Sequence, residues 1–210
     1  MTLALSYFED LYATQPDPWN FDKRWYEHRK HALSVASLPR RRYERAFEPA
    51  CANGRLTRLL ATRCTSLLAA DAIAAPVERA RHRLARLPQV RVEQRRLPQQ
   101  WPEESFDLIV VSEFLYYFEP RELATVLALL LASLEPEGNL LAVHWRHLVA
   151  EHPLTGDTVH QALRAKAGLV LQAHHEEEDF LLDVLVRHDG SSPSLSVATA
   201  SGVPGAAGRR

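Results

Sequence analysis

Only two cysteines, Cys51 and Cys64, occur in the 210 residues, too few for a disulfide framework or a four-thiolate zinc site. No run approaches the roughly 20 apolar residues of a membrane-spanning helix, and the N-terminus lacks the charged-then-apolar layout of a secretion signal. A reducing cytoplasm is the expected compartment. An excess of one charge is missing too: 25 Lys and Arg against 26 Asp and Glu leave a formal net charge of −1. Nothing draws the chain as a whole to nucleic acid or to an anionic membrane. The run Arg40-Arg41-Arg42 with Arg45 reads as a solvated helix start rather than a binding patch. Neither a phosphate loop with lysine, a nucleophile elbow nor a triad spacing is present. Ten histidines raise the question of metal. His144 and His147, three apart on a strand, fall on opposite faces, and His174-His175 with its acidic run reads as a solvated turn, so no metal is expected.

With 46% hydrophobic and 24% charged residues, the chain has the balance of one soluble globular domain. Residues 1–38 read as helical cover elements interrupted at "TQPDPWNF" by Pro16 and Pro18. From Tyr43 short apolar runs alternate with helical patterns, as in βα units on a parallel sheet. Strands are expected at Arg45–Glu48, "SLLAAD", "VRVEQ", "FDLIVVS" and "GNLLAVHW". Between them a helix carries Leu56, Leu59 and Leu60 on one face. A second repeats Ile73, Val77, Ala80, Leu84 and Leu87, and a third runs from about Pro120 to Leu134. The runs "GLVLQAHHEE" and "FLLDVLVR" are joined by a link too short for a crossover helix, so they should pair antiparallel at a sheet edge. The expected fold is α/β, Rossmann-like in the manner of class I methyltransferases: a mostly parallel seven-stranded sheet with a C-terminal antiparallel hairpin. Residues 39–188 form that domain, and 189–210, small, polar and rich in Gly and Pro, should be a disordered tail.

In open α/β sheets the ligand binds beyond the carboxyl ends of the strands. After the first strand comes "EPACANGRL", with one glycine where nucleotide loops often have three. Small residues at Ala50, Ala52 and Gly54 still let the backbone approach a ligand. Asp71 ends the second strand, where its carboxylate can accept both hydroxyl hydrogens of a ribose or, alternatively, cap the next helix. A tight loop without room for a pyrophosphate suits S-adenosylmethionine.

The motifs "DPW" (Asp17–Trp19), "YEHRKH" (Tyr26–His31), "EPACANGRLTRLLA", "AAD" ending at Asp71, "FDLIVVSEFLYYF" and "FLLDVLVR" together resemble the nodulation protein S family. That family comprises S-adenosylmethionine-dependent methyltransferases that N-methylate a deacetylated chitooligosaccharide. The resemblance runs from about Phe8 to Arg187. It implies that Glu48, Ala50, Ala52 and Gly54 line the methionine end of the cofactor and that Asp71 holds the ribose. It further implies that Trp19 and Lys30, with Arg29 as an alternative cation, close over the cofactor and pair its carboxylate. Ser112 would meet the cofactor after strand four, and Tyr116 and Tyr117 would wall the acceptor. Two departures stand out. Ala50 replaces a glycine. Arg96 (or Arg95) sits where an acid usually accepts from the adenine amino group, which a donor-only guanidinium cannot do.

Methyl transfer to an amine needs a proton acceptor, for which Glu113 is the first candidate and His144 the second. Trp145 could stack on a sugar ring. The expected partner is thus a small-molecule acceptor, an amino sugar or oligosaccharide, with no nucleic acid or membrane. Two competing readings remain: a cofactor-free relative used for binding, suggested by Ala50 and Arg96, and a nicotinamide-dependent reductase.

Overall fold

The computed structural model of the chain describes residues 2–188, 190 and 196–206. Two helices, α1 (Leu5–Thr14) and α2 (Trp25–Ala36), precede the sheet. Then follow β1 (Tyr43–Pro49), α3 (Arg55–Leu60), β2 (Cys64–Asp71), α4 (Ala74–Leu84), β3 (Val90–Gln94), β4 (Phe106–Ser112), α5 (Pro120–Ser133) and β5 (Leu134–Trp145). The chain continues through α6 (Gly156–Arg164), β6 (Leu169–Glu176), β7 (Phe180–Arg187) and a four-residue α7 (Val197–Ala200). The strands form one sheet in the order β3-β2-β1-β4-β5-β7-β6. All pairings are parallel as far as β5, whereas β7 pairs antiparallel with both β5 and β6. The expected fold class is therefore the one observed, hairpin included.

Burial explains the alternation. On β4, Phe106, Ile109 and Val111 join one apolar cluster with Leu123, Val126, Leu127 and Leu130 of α5 and with Val159 and Leu163 of α6. Leu108 and Val110 join another with Leu56 and Leu60 of α3, backed by Tyr26, Leu33 and Val35. A strand covered on both faces has no polar side to show, hence its continuous apolar run. At the start of the parallel strands, the Asp107 carboxylate accepts from the Glu44 and Arg45 N–H groups (2.9 and 2.8 Å), tying β1 to β4.

Several expectations need correction. β1 is longer than Arg45–Glu48, beginning at Tyr43, whose side chain is fully buried and donates to Asn139 Oδ1. β5 begins at Leu134 rather than Gly138, directly after α5. Ile73 is the N-cap of α4, and Leu87 lies past its end. No element was expected between Trp145 and Gly168, yet α6 lies there, capped by Thr155, whose hydroxyl accepts from the Thr158 N–H. Only four of its residues are buried, one of them a histidine and one a glycine, so its apolar stripe is too thin to read. The pair His174-His175 sits in β6, not in a turn. Of the expected disordered tail, residues 189, 191–195 and 207–210 lie outside the described residues. Among the described residues no helix is long and apolar enough to cross a membrane.

Candidate active site

A cavity of about 930 Å³ lies at the carboxyl ends of β1, β2 and β4. It sits where the strand order reverses, because β1 is followed in sequence by β2 on one side and flanked by β4 on the other. Glu48, Ala50 and Asp71 line it from below, as do Ser112 and Glu113. Tyr12, Trp19, Phe21, Tyr26 and Lys30 of the N-terminal segment cover it. Trp19 packs between Tyr12 and Phe21, each at 5.6 Å between ring centroids. Asp22 holds the intervening loop down through a two-pronged pair with Arg83 of α4 (2.8 and 2.6 Å).

The bend after β1 works with one glycine because alanines take the other special positions. Ala50, Ala52 and Gly54 have φ of 57, 46 and 76°, the left-handed region that costs an L-residue about 1–2 kcal/mol. Only at Gly54 would a side chain also collide. A Cβ there would lie 3.0 Å from Leu84 Cδ1 and 3.1 Å from Ala80 Cβ, because α4 packs against the bend. The strain at the alanines is offset by hydrogen bonds: Cys51 N–H to Ala70 O (2.8 Å), Ala52 N–H to Asp71 Oδ2 (3.0 Å) and Gly54 N–H to Cys51 O (2.9 Å). Three N–H groups that a phosphate would need are thereby spent internally.

Two carboxylates border this bend. Asp71 accepts from Ala52 through Oδ2 and from the Ile73 N–H through Oδ1 (3.0 Å). It is not the N-cap of α4, whose N-cap is Ile73. Burial raises its pKa, partly countered by those backbone donors. Glu48 is 2% exposed. Burial, then the neighbouring charge of Asp71, push it from its ordinary 4.5 up to about 8, although Thr57 lowers it. Its Oε2 and the Asn53 Oδ1 are buried without a hydrogen-bond partner among the described residues. A buried acceptor left without a donor costs about 1–3 kcal/mol, and this pair faces a cavity.

A pH dependence follows. Because the folded pKa of Glu48 is raised, its contribution to stability is complete below about 4.5 and is lost as pH rises through about 8. The melting temperature of the cofactor-free protein should fall across that interval. Glu48→Gln should flatten the dependence, as scanning calorimetry at several pH values would show.

Opposite the bend, Glu113 has φ of 52°, which turns its carboxylate into the cavity floor. Lys30 donates to Oε1 (2.7 Å), while the Tyr116 hydroxyl and the Trp145 N–H (2.9 Å) donate to Oε2. Burial by itself would raise the Glu113 pKa, but Lys30, Tyr116 and the Trp145 N–H outweigh it and the net shift is downward. With three donors already in place, Glu113 is a fixed anion and a poor proton acceptor, contrary to the sequence expectation. Lys30 is likewise engaged. It bonds Glu27 (3.1 Å) as well as Glu113 and lies 4.9 Å from the Tyr26 ring centroid. Its charge is matched within the protein, which weakens its expected role as the cation for a cofactor carboxylate.

Arg29 points elsewhere, forming a two-pronged pair with Glu177 (both 2.7 Å) beyond the cavity. Arg24, which the sequence reading did not single out, is a cation on the cavity wall. It precedes α2, lines the cavity, and has no hydrogen bond or ion pair of its side chain among the described residues.

His144 does not reach the cavity, and the structure removes it as a proton acceptor. It is fully buried, and its Nε2 accepts from the Leu115 N–H (3.2 Å). Its Nδ1 therefore carries hydrogen toward His160 Nε2 (3.1 Å), and His160 Nδ1 in turn meets Asp183 Oδ2 (2.7 Å). Burial, then the neighbouring His160, keep the His144 pKa well below normal. Asp183 anchors this relay with Arg164 and His174 as further partners. Its job is to fix the short 3-10 turn Leu115–Tyr117.

Tyr116, Tyr117 and Trp145 all line the cavity, as do Ser112, Arg95 and Arg96. Trp145 packs edge-on to Tyr26 at 5.6 Å. Arg95 is occupied by Glu93 (2.6 Å) and the Gln100 carbonyl (3.0 Å), whereas the Arg96 backbone N–H donates to Gln100 Oε1 (2.6 Å).

The family model for nodulation protein S (NodS) matches residues 9–160. Nodulation protein S of Rhizobium tropici is 30% identical over 176 residues, covering 79% of this chain and 74% of that protein. A crystal structure described as a candidate methyltransferase from Pseudomonas syringae is 48% identical, with a TM-score of 0.70 over 78% of this chain and 100% of its own. The N-methyltransferase NodS from Bradyrhizobium japonicum WM9, solved with S-adenosyl-L-homocysteine, is 26% identical. Its TM-score is 0.75 over 89% of this chain and 99% of its own.

Proposed function

The chain belongs to the nodulation protein S family, and from that premise we propose that it moves a methyl group from S-adenosylmethionine to an amine of a small acceptor. The acceptor that best suits the family and the cavity is an amino sugar of a deacetylated oligosaccharide. One observation carries the cofactor reading: the buried acid Glu48 and the half-buried Asp71, with orphaned acceptor oxygens on Glu48 and Asn53, face a bend in which the Cys51, Ala52 and Gly54 N–H groups are already spent. Such a pocket suits a ligand that brings positive charge, ammonium hydrogens and ribose hydroxyls. The bend offers a pyrophosphate few free N–H donors, which speaks against a nicotinamide-dependent reductase. The cofactor-free alternative loses its first support, since Ala50 adopts the left-handed conformation that the bend requires.

Asp71 would accept from the ribose hydroxyls with its remaining lone pairs. Glu48 and Asn53 would accept from the amino group, and Arg24 would pair the carboxylate. Bound there, S-adenosylmethionine supplies a methyl group on a sulfonium, which is already a good leaving group. The protein then has to align and dehydrate the acceptor. Trp19, Tyr12 and Phe21 exclude water from above, while Tyr116, Tyr117 and Trp145 wall the acceptor side. Glu113, held ionised by Lys30, fixes the Tyr116 hydroxyl and the Trp145 backbone beside the acceptor. Glu122 and Asp179, also on the cavity wall, offer local acceptors that suit an ammonium group.

The test is transfer of labelled methyl from S-adenosylmethionine to chitooligosaccharides with and without their N-acetyl groups. Label on the deacetylated form alone is the expected result. Equal label on both would move the reaction to a hydroxyl, and none on either would discard the amino-sugar acceptor.

A further inference from the structure

The mechanism above lacks a proton acceptor, since Glu113 is saturated and His144 is sealed in the core. We propose that His152 takes the proton from the acceptor ammonium, an inference that rests on the methyltransferase reading of this cavity. His152 lies in the loop between β5 and α6 and lines the cavity. Its ring stacks on Tyr116 at 4.6 Å and 20°, and meets the edge of Tyr117 at 4.9 Å and 85°. The loop is pinned where it matters: the His152 N–H donates to Val149 O (3.0 Å), and the Leu154 N–H donates to Tyr116 O (3.3 Å). Neither ring nitrogen of His152 has a hydrogen-bond partner among the described residues. The imidazole is thus held rigidly by its faces while its nitrogens stay free.

Its surroundings suit the task. Partial burial lowers the His152 pKa from the usual 6.5, against the raising influence of the Glu113 and Glu151 carboxylates. Among the described residues the other titratable groups in ring contact are the Tyr116 and Tyr117 phenols. The imidazole is consequently neutral near pH 7 and able to accept. Once protonated, it is stabilised by the Tyr116 face and by the Glu113 charge. The balance closes. One N–H bond of the ammonium breaks and its proton passes to a free imidazole nitrogen. The released lone pair forms the new N–C bond as the S–C bond breaks, its electrons staying on sulfur. The product leaves as a methylated ammonium, and the imidazolium returns its proton to solvent.

The experiment uses the full chain with S-adenosylmethionine and a deacetylated chitooligosaccharide. His152→Gln should lower kcat by about 100-fold with unchanged S-adenosylhomocysteine affinity by calorimetry and unchanged melting temperature. The rate of the unsubstituted protein should fall on acidification as an imidazole protonates, a limb the variant should lose. His152→Ala should recover activity with added imidazole. Transfer at the original rate with the same pH profile overturns the assignment. So does a loss of rate without a change of profile and without imidazole rescue, which would mean that the ring only packs. Failure of the unsubstituted protein to bind S-adenosylhomocysteine would instead overturn the cofactor reading, and His152 with it.

Discussion

Replacing Asp71 with alanine is expected to weaken S-adenosylhomocysteine binding by about 100- to 1000-fold, since two hydrogen bonds to a carboxylate are worth roughly 3–4 kcal/mol together. The substitution has a second effect, because Asp71 also holds the Ala52 and Ile73 N–H groups. Freeing those donors beside a left-handed alanine should cost about 1–3 kcal/mol of stability. Asp71→Asn separates the two. The amide keeps an acceptor oxygen for one backbone donor but turns its other atom into a donor, so affinity should fall less than with alanine. Calorimetric titration of both variants, alongside thermal melts, makes the comparison. Binding unchanged in Asp71→Ala would remove the ribose from this strand end.

The second large effect concerns Lys30. Lys30 is 2% exposed, and its ammonium lies between Glu27 and Glu113. Lys30→Met leaves both carboxylates without their cation and should cost about 3–5 kcal/mol of stability, the usual loss when one partner of a buried pair is removed. Part of this should return in the double variant Lys30→Met, Glu113→Gln, which removes one of the stranded charges. In the unsubstituted protein Glu113 is held below its ordinary 4.5. Its contribution to stability is therefore present above about that pH and is lost on acidification. The Lys30→Met melting curve should be flatter in that acid range. If Lys30→Met melts like the parent, the charge cluster does not anchor the cover.

Much of the scaffold could be read directly from the chain. "VRVEQ", "FDLIVVS" and "FLLDVLVR" are strands with the bounds expected from the sequence; for the latter two the reason is that a buried strand ends where polar or turn-forming residues begin. The short link before Phe180 gave away the antiparallel hairpin. By contrast, α6 buries too few apolar side chains to mark itself. The candidate site was legible as a set of places: the ends of the first, second and fourth strands do carry Glu48, Asp71 and Glu113. The chemical state of those places was not legible. Glu113 differs from a free carboxylate through donors at positions 30, 116 and 145. His144 owes its inertness to Leu115, His160 and Asp183.

The order of apolar runs and turns in the sequence determined the α/β sheet and the position of a small-residue bend before a carboxylate, since those features depend on neighbours along the chain. Tertiary structure alone decided which polar side chains are spent and which remain free. Proton affinity and hydrogen-bonding capacity are set by burial and by partners that meet only when distant segments pack. Arg24 and His152 therefore emerge as free groups on the cavity wall, whereas Arg29 and His144, equally plausible on paper, are tied up away from it.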